Sequence, residues 1–147
     1  MTHGVKIASP NMVIDAVHHP AVKPYLIGDF DGVDLTTYFS GPMNISLCVG
    51  PAVALFPSHP KVRNGYDSHY AFPPVIRGKA AAIAARAMLD FMFTNVDAEV
   101  IYGTTPRDNR AARLMNAKLG FIPLTTTVDT LKRECVFYEL RKERWEV

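Results

Sequence analysis

The sequence predicts an α+β domain in three layers: a mixed, mostly antiparallel central sheet flanked by helices. Three observations lead there. Period-two apolar runs bounded by Gly and Pro mark strands. An alanine-rich helix links the strand Tyr66–Phe72 to the strand Glu99–Thr104, and a crossover of that kind implies one parallel pair in the sheet. The length, 147 residues, is that of one domain able to bury roughly 70% of its unfolded surface.

Composition removes several classes. Lys+Arg is 16 against Asp+Glu 14, a formal charge of +2, so nothing argues electrostatically for a nucleic-acid partner. The first residues carry no apolar signal core, and the longest near-apolar run, Ile45 to Phe56, is broken by Gly50-Pro51. Two cysteines, Cys48 and Cys135, read as buried thiols of a soluble domain in a reducing compartment, the cytoplasm, without a membrane partner. His3, His18-His19 and His59 lack metal-ligand spacing and read as surface or cap residues, so no metal is expected.

Along the chain, Asn11 is the expected cap of a first helix bearing Met12, Val13, Ile14 and Val17, and Pro20 and Pro24 break it. A short second helix is expected within Gly28–Gly41. Ile45, Leu47 and Val49 alternate with polar or small neighbours, Gly50-Pro51 turns, and Val53, Leu55 and Phe56 return, which is a hairpin. Pro57 to Gly65 is a loop, and the strand Tyr66–Phe72 ends at Pro73-Pro74. The strongest helix runs from about Lys79 to Phe93, with Lys79, Arg86 and Asp90 on one polar stripe. After the strand Glu99–Thr104, Thr105 to Asp108 turns, and Asp108 or Asn109 caps a helix whose buried face is Ala112, Met115 and Leu119. Gly120 suits a left-handed helix end, over which Phe121 folds back. Two strands close the domain, Ile122–Val128 and Glu134–Leu140, with a polar connection. The mixed-charge end, Arg141 to Trp145, reads as a solvated tail from which Trp145 packs on the domain or on a second copy.

The chemistry is in Phe72-Pro73-Pro74-Val75-Ile76-Arg77-Gly78-Lys79-Ala80-Ala81-Ala82. A strand ends, small residues follow, and a long helix begins. The first turn of a helix offers unpaired N–H groups and a positive dipole end, and small side chains let an anion approach them. This design suits a phosphate or pyrophosphate. The same residues also suit plain close packing of helix on sheet. No Gly-Lys-Ser/Thr is present, so it is not a Walker loop.

Here the block Tyr66–Phe121 resembles the GNAT acetyltransferase superfamily. The family's acetyl-CoA loop is Gln/Arg-x-x-Gly-x-Gly/Ala; Arg77 and Ala82 match it, whereas Ala80 replaces the first glycine. Asn109, Ala112 and Lys118-Leu119-Gly120-Phe121 resemble the family's second signature, Asn-x-x-Ala/Ser … Lys-x-Gly-Phe. The N-terminal part and the approach Tyr66–His69 also resemble small phage-encoded members. The resemblance implies a single GNAT-like domain over residues 1–147, binding acetyl-CoA as cosubstrate and moving its acetyl group directly to a primary amine. Backbone amides of Arg77, Gly78, Lys79, Ala80, Ala81 and Ala82 would hold the pyrophosphate. The main chain at Ala71 and Phe72 would pair with the pantetheine arm, Asn109 would hydrogen-bond beside it, and Ala112 would keep its helix close. Lys79 or Arg113 would reach a phosphate, or both are surface charges.

Acetyl transfer needs a base for the amine proton and a donor for the developing oxyanion. Asp67 and His69 alternate on the strand before the loop and share a face. His69 is the candidate base and Asp67 its orienting group, or a group acting through water; the bland reading is a hydrogen-bonded rim histidine. The family often places a tyrosine as general acid where this chain has Asn116, which cannot supply a proton but can hydrogen-bond the thiol. Tyr66, Tyr70, Tyr102 and Tyr138 are the candidate substitutes, although strand tyrosines usually pack. The departures at Ala80 and Asn116 keep a second reading open, a catalytically inactive CoA-binding or protein-interaction module. A nucleotide-binding protein using the same loop is a third. The amine acceptor has no readable motif, and the family's frequent dimerisation leaves a homodimer open.

Overall fold

The computed structural model describes residues 4–23, 43–129 and 131–145. The expected helix within Gly28–Gly41 lies outside them. Among the described residues, seven strands form one sheet in the order β1-β2-β3-β4-β5-β7-β6. Their ranges are β1 Val5–Ile7, β2 Ile45–Val49, β3 Ala52–Phe56, β4 Gly65–Ala71, β5 Val100–Pro106, β6 Ile122–Val128 and β7 Glu134–Arg141. Every neighbouring pair is antiparallel except β4 with β5. The expected class, a mixed and mostly antiparallel sheet between helices, is the one observed.

Three helices position the site: α1 Pro10–Val17, α2 Lys79–Thr94 and α3 Arg110–Leu119. The first corrects the expected cap. Ser9, not Asn11, caps α1, accepting from the Met12 amide at 3.3 Å, with Pro10 as first helical residue. Proline there sacrifices only an amide that has no partner anyway. The helix ends before Pro20, as expected; Pro24 lies outside the described residues. The edge strand β1 was not expected: three residues are too few to show a period.

Alternation sorts the core into two layers. Leu47, Ala54 and Phe56 face α2, where they pack with Met88, Leu89, Met92 and Phe93, in one cluster with Ile101 of β5. Cys48, Val53, Leu55 and Ala71 face the other way, against Val13 and Val17 of α1. Strand β3 is buried along its whole length because both faces are covered. Each fully buried Leu, Met or Phe contributes about 1.5–3 kcal/mol. Helix α3 lies on the α2 side, through Leu119 and Phe121. It ends at Gly120 in the left-handed conformation, φ 96°, and the Phe121 amide returns to Asn116 O at 3.0 Å. Cys48 and Cys135 are buried free thiols.

The chain end is less solvated than expected. Lys142–Trp145 forms a helical turn, and Trp145 lies on α2. Its ring sits 5.6 Å from Phe93, under the Arg86 guanidinium, and its Nε1 donates to Asp90 at 3.2 Å. The polar stripe of α2 therefore holds this tryptophan.

Candidate active site

The site begins where two strands part. Parallel pairing between β4 and β5 runs from Gly65 and Val100 to Ser68 and Gly103 and stops there. Beyond it, β4 stays with β3, through Ala71 opposite Val53, while β5 stays with β7, through Pro106 opposite Cys135. The sheet opens into a V. Asp67 donates its amide to Pro57 O on the β3 side at 2.9 Å. Peptide groups alternate between the two edges of a strand, so those of His69 and Ala71 also face β3, and those of Ser68 and Tyr70 face β5. Past the split, Tyr70 thus presents its main chain to the gap.

A cleft of about 540 Å³ occupies this V. Ser68, His69, Tyr70 and Phe72 line it from β4, and Gly103 to Pro106 line it from β5. Ile76, Arg77, Gly78, Ala81 and Ala82 form its wall at the start of α2. Asn109, Ala112, Met115, Asn116 and Lys118 form the wall from α3. The two motif-bearing segments, far apart in sequence, thus face each other across one opening.

Local geometry explains the loop before α2. Gly78 precedes the helix with φ 57° and ψ −123°, a conformation other residues rarely adopt, and a Cβ there would meet nothing within 4 Å. Close packing is therefore not what requires glycine; the backbone turn is. Two of the six candidate amides are already committed: Ala80 donates to Arg77 O at 3.2 Å and Ala82 to Gly78 O at 3.1 Å. Among the described residues, the amides of Arg77, Gly78, Lys79 and Ala81 carry no such bond. Ala80 and Lys79 are exposed and outside the cleft lining, so the alanine in place of the family's glycine crowds nothing there.

The other expected residues divide. His69 is half-buried at the cleft; Asp67 shares its face but does not line the opening. The side chain of Ala71 packs under α1, and its peptide is turned to β3. Asn109 caps α3, accepting from the Ala112 amide through Oδ1 at 3.2 Å, which leaves its amide nitrogen for the cleft. Arg113 donates to Arg107 O at 2.9 Å, and the cleft cations are Arg77 and Lys118 instead. Asn116 is buried and donates through Nδ2 to Thr105 Oγ1 at 3.0 Å. Of the four tyrosines, only Tyr70 lines the cleft; Tyr102 stacks on Phe137 with centroids 5.3 Å apart, and Tyr66 and Tyr138 are in the core. Burial pushes the Tyr70 phenol well above its ordinary value, offset only in part by the neighbouring Ser68 hydroxyl. Ser68, Thr105 and Lys118 carried no expected role. Lys118 stood in the second signature, but nothing in the sequence told which way it points.

Among the described residues, no three His, Cys, Asp or Glu side chains converge on a common point, and no helix is long and apolar enough to cross a membrane.

No family model and no curated protein matches the sequence. Solved structures do match. The chain is similar to spermidine N-acetyltransferase from Vibrio cholerae in complex with CoA and spermine, with a TM-score of 0.77, 10% identity and 97% of each chain covered. It is similar to the ribosomal-protein-S5-alanine acetyltransferase from Vibrio fischeri, with a TM-score of 0.66, 12% identity, and 96% of this chain and 93% of that one covered. A dodecameric form of the Vibrio cholerae enzyme matches with a TM-score of 0.64 and 12% identity, covering 76% of this chain and 72% of that one. With the split between β4 and β5 and the loop at the start of α2, these likenesses show that the chain has the fold of the GNAT acetyltransferase superfamily.

Proposed function

We propose that this protein is an acetyl-CoA-dependent N-acetyltransferase that moves an acetyl group directly to a primary amine. The observation that carries this reading is the parting of β4 from β5 after Ser68 and Gly103, with the start of α2 at the same opening. A strand edge freed in mid-sheet can pair with an extended, amide-bearing arm. A helix N-terminus beside it suits the anionic end of the same molecule. The residues fit acetyl-CoA on both counts: Gly78, Lys79 and Ala81 would hold its pyrophosphate through their amides, with Arg77 and Lys118 as neighbouring cations, and the Tyr70 main chain would meet the arm. Bound there, acetyl-CoA supplies an activated acyl thioester.

The chain's own part is then to bind, to orient and to move one proton. His69 takes the proton of the attacking amine, with Asp67 on the same strand face as its orienting group. Asn109 hydrogen-bonds near the arm through its free amide nitrogen, while Ala112 and Asn116 hold α3 at the wall. The acceptor is an amine of unassigned identity; the structural neighbours are named for spermidine and for a ribosomal-protein alanine. A cytoplasmic location and a homodimer belong to this reading, and one neighbour is described as dodecameric.

Calorimetric titration of acetyl-CoA into the purified protein, with ATP as control, tests the reading. Binding of acetyl-CoA over ATP supports it; no binding by folded protein removes it. The second reading, a CoA-binding or protein-interaction module without turnover, is favoured by one observation: the position of the family's tyrosine holds Asn116, which is committed to Thr105. His69→Ala separates the two. An acetyltransferase loses amine-dependent thiol release at unchanged acetyl-CoA affinity, whereas a binding module has no thiol release to lose.

A further inference from the structure

Tyr70 Oη is the one fully buried side-chain polar atom without a hydrogen-bond partner among the described residues. Its ring is held by aromatic packing, edge-on to Phe56 at 6.4 Å and to Phe72 at 5.5 Å. Phenylalanine would meet those contacts equally well. The hydroxyl adds only a desolvation cost unless something joins it. Its polar neighbour, Ser68, sends its own hydroxyl hydrogen to Tyr102 O at 2.7 Å, and Tyr70 Oη does not reach Ser68 in hydrogen-bond geometry.

Position says what joins it. Tyr70 is two residues past Ser68, where β4 has lost β5, and it lines the cleft. A molecule with its anionic end at the start of α2 and its arm in the gap brings its far end to the split. At that depth the strand offers three directions. His69 projects to the α1 face, the Tyr70 side chain to the opposite face, and the Tyr70 peptide lies in the plane between them. An amine approaching from the His69 face leaves the sulfur of the thioester on the Tyr70 face.

We propose that the Tyr70 hydroxyl donates a hydrogen bond to the sulfur of the acyl thioester, in place of the α3 tyrosine that Asn116 replaces. This rests on the acetyltransferase reading above. In the transfer, the nitrogen–carbon bond forms and the carbon–sulfur bond breaks with its electron pair on sulfur. The amine proton goes to His69, and the departing thiolate takes its proton from water after release. Tyr70 keeps its own proton: burial makes the phenol a much weaker acid than a thiol, so it is a donor and not an acid.

The test compares CoA with desulfo-CoA, in which hydrogen replaces the thiol, by calorimetry on the wild type and on Tyr70→Phe. The wild type should bind CoA roughly tenfold more tightly than the desulfo analogue. This ratio should grow as pH rises through the range of a free thiol, about 8.5. In Tyr70→Phe the two ligands should bind alike, the loss falling on CoA alone, and the melting temperature should stay level or rise. A ratio that survives in Tyr70→Phe, a wild type that binds both ligands equally, or an equal loss for both overturns the role of Tyr70 and leaves the acetyltransferase reading standing. Failure of the wild type to bind either ligand removes that reading, and this role with it.

Discussion

The Asn116 side-chain amide donates to Thr105 Oγ1 across 3.0 Å, with both residues buried, and so ties the middle of α3 to the far end of β5. Removing either partner leaves the other buried and without this bond, at a cost of about 1–3 kcal/mol. Asn116→Ala and Thr105→Val should each lower the melting temperature by roughly 4–10 °C. The double variant should lose less than the sum, because the second change no longer orphans a partner. Thermal melts of the four proteins give the coupling, and strictly additive losses would show that the bond carries none.

Gly78→Ala probes the loop without a steric clash. Nothing lies within 4 Å of the added Cβ, so the whole cost comes from holding a non-glycine at φ 57°. That strain is about 1–3 kcal/mol. Relief requires moving the Gly78 and Lys79 amides, two of those assigned to the pyrophosphate. Acetyl-CoA affinity should therefore fall, while α2 keeps its helicity. Unchanged affinity in a destabilised protein would take the loop out of the binding site.

Local signals were readable in the sequence where a residue acts on its own neighbours. Asn109 as a cap, Gly120 as a helix end and the hairpin at Gly50-Pro51 all depend on a few consecutive residues, and all stand as expected. The cap at Ser9 is equally local, since Ser-Pro signals a helix start, but Asn11 two residues on has the same capping chemistry and competes with it in the sequence. The cleft is different. Which amides face the gap depends on the register of β4 between two partners, and that is set by residues far away in sequence. Ala71 and Phe72 stand beside the loop, but the Ala71 peptide turns to β3, and past the split it is the Tyr70 peptide that faces the gap. Trp145 shows the same limit: its landing on Arg86 and Asp90 was open between this chain and a second copy until the turn Lys142–Trp145 was placed.

Acid should weaken the β6–β7 connection through Asp129. Desolvation pushes this carboxyl up, but hydrogen bonds from the Arg133 amide and guanidinium and from the Leu131 amide outweigh it and hold the pKa below its ordinary 3.8. A depressed folded-state pKa means that the unfolded chain binds the proton first as pH falls. The stabilisation is thus complete above 3.8 and is lost as pH drops through the lower folded-state value. Asp129→Asn should melt lower than the wild type at pH 7, and the two should converge in strong acid. Parallel melting curves at every pH would contradict this assignment.

Trp145 should matter for stability and not for the site. It is the only tryptophan, half-buried on the C-terminal half of α2, whereas the cleft meets that helix at its start. Full burial makes Trp→Ala cost about 3–5 kcal/mol, and partial exposure reduces this to about 2 kcal/mol. Melting by circular dichroism should fall roughly 6–8 °C for Trp145→Ala. Trp145→Phe keeps the stacking on Phe93 and Arg86 and loses only the bond to Asp90, so it should fall less. Arg86→Ala has two losses, the face of the tryptophan and the bond to Lys118 O that closes the end of α3. Lys118 also lines the cleft, so Arg86→Ala should weaken acetyl-CoA binding slightly where Trp145→Ala does not. Equal affinity losses in the two variants would mean that the chain end acts on the cleft through α2 itself, not through the end of α3.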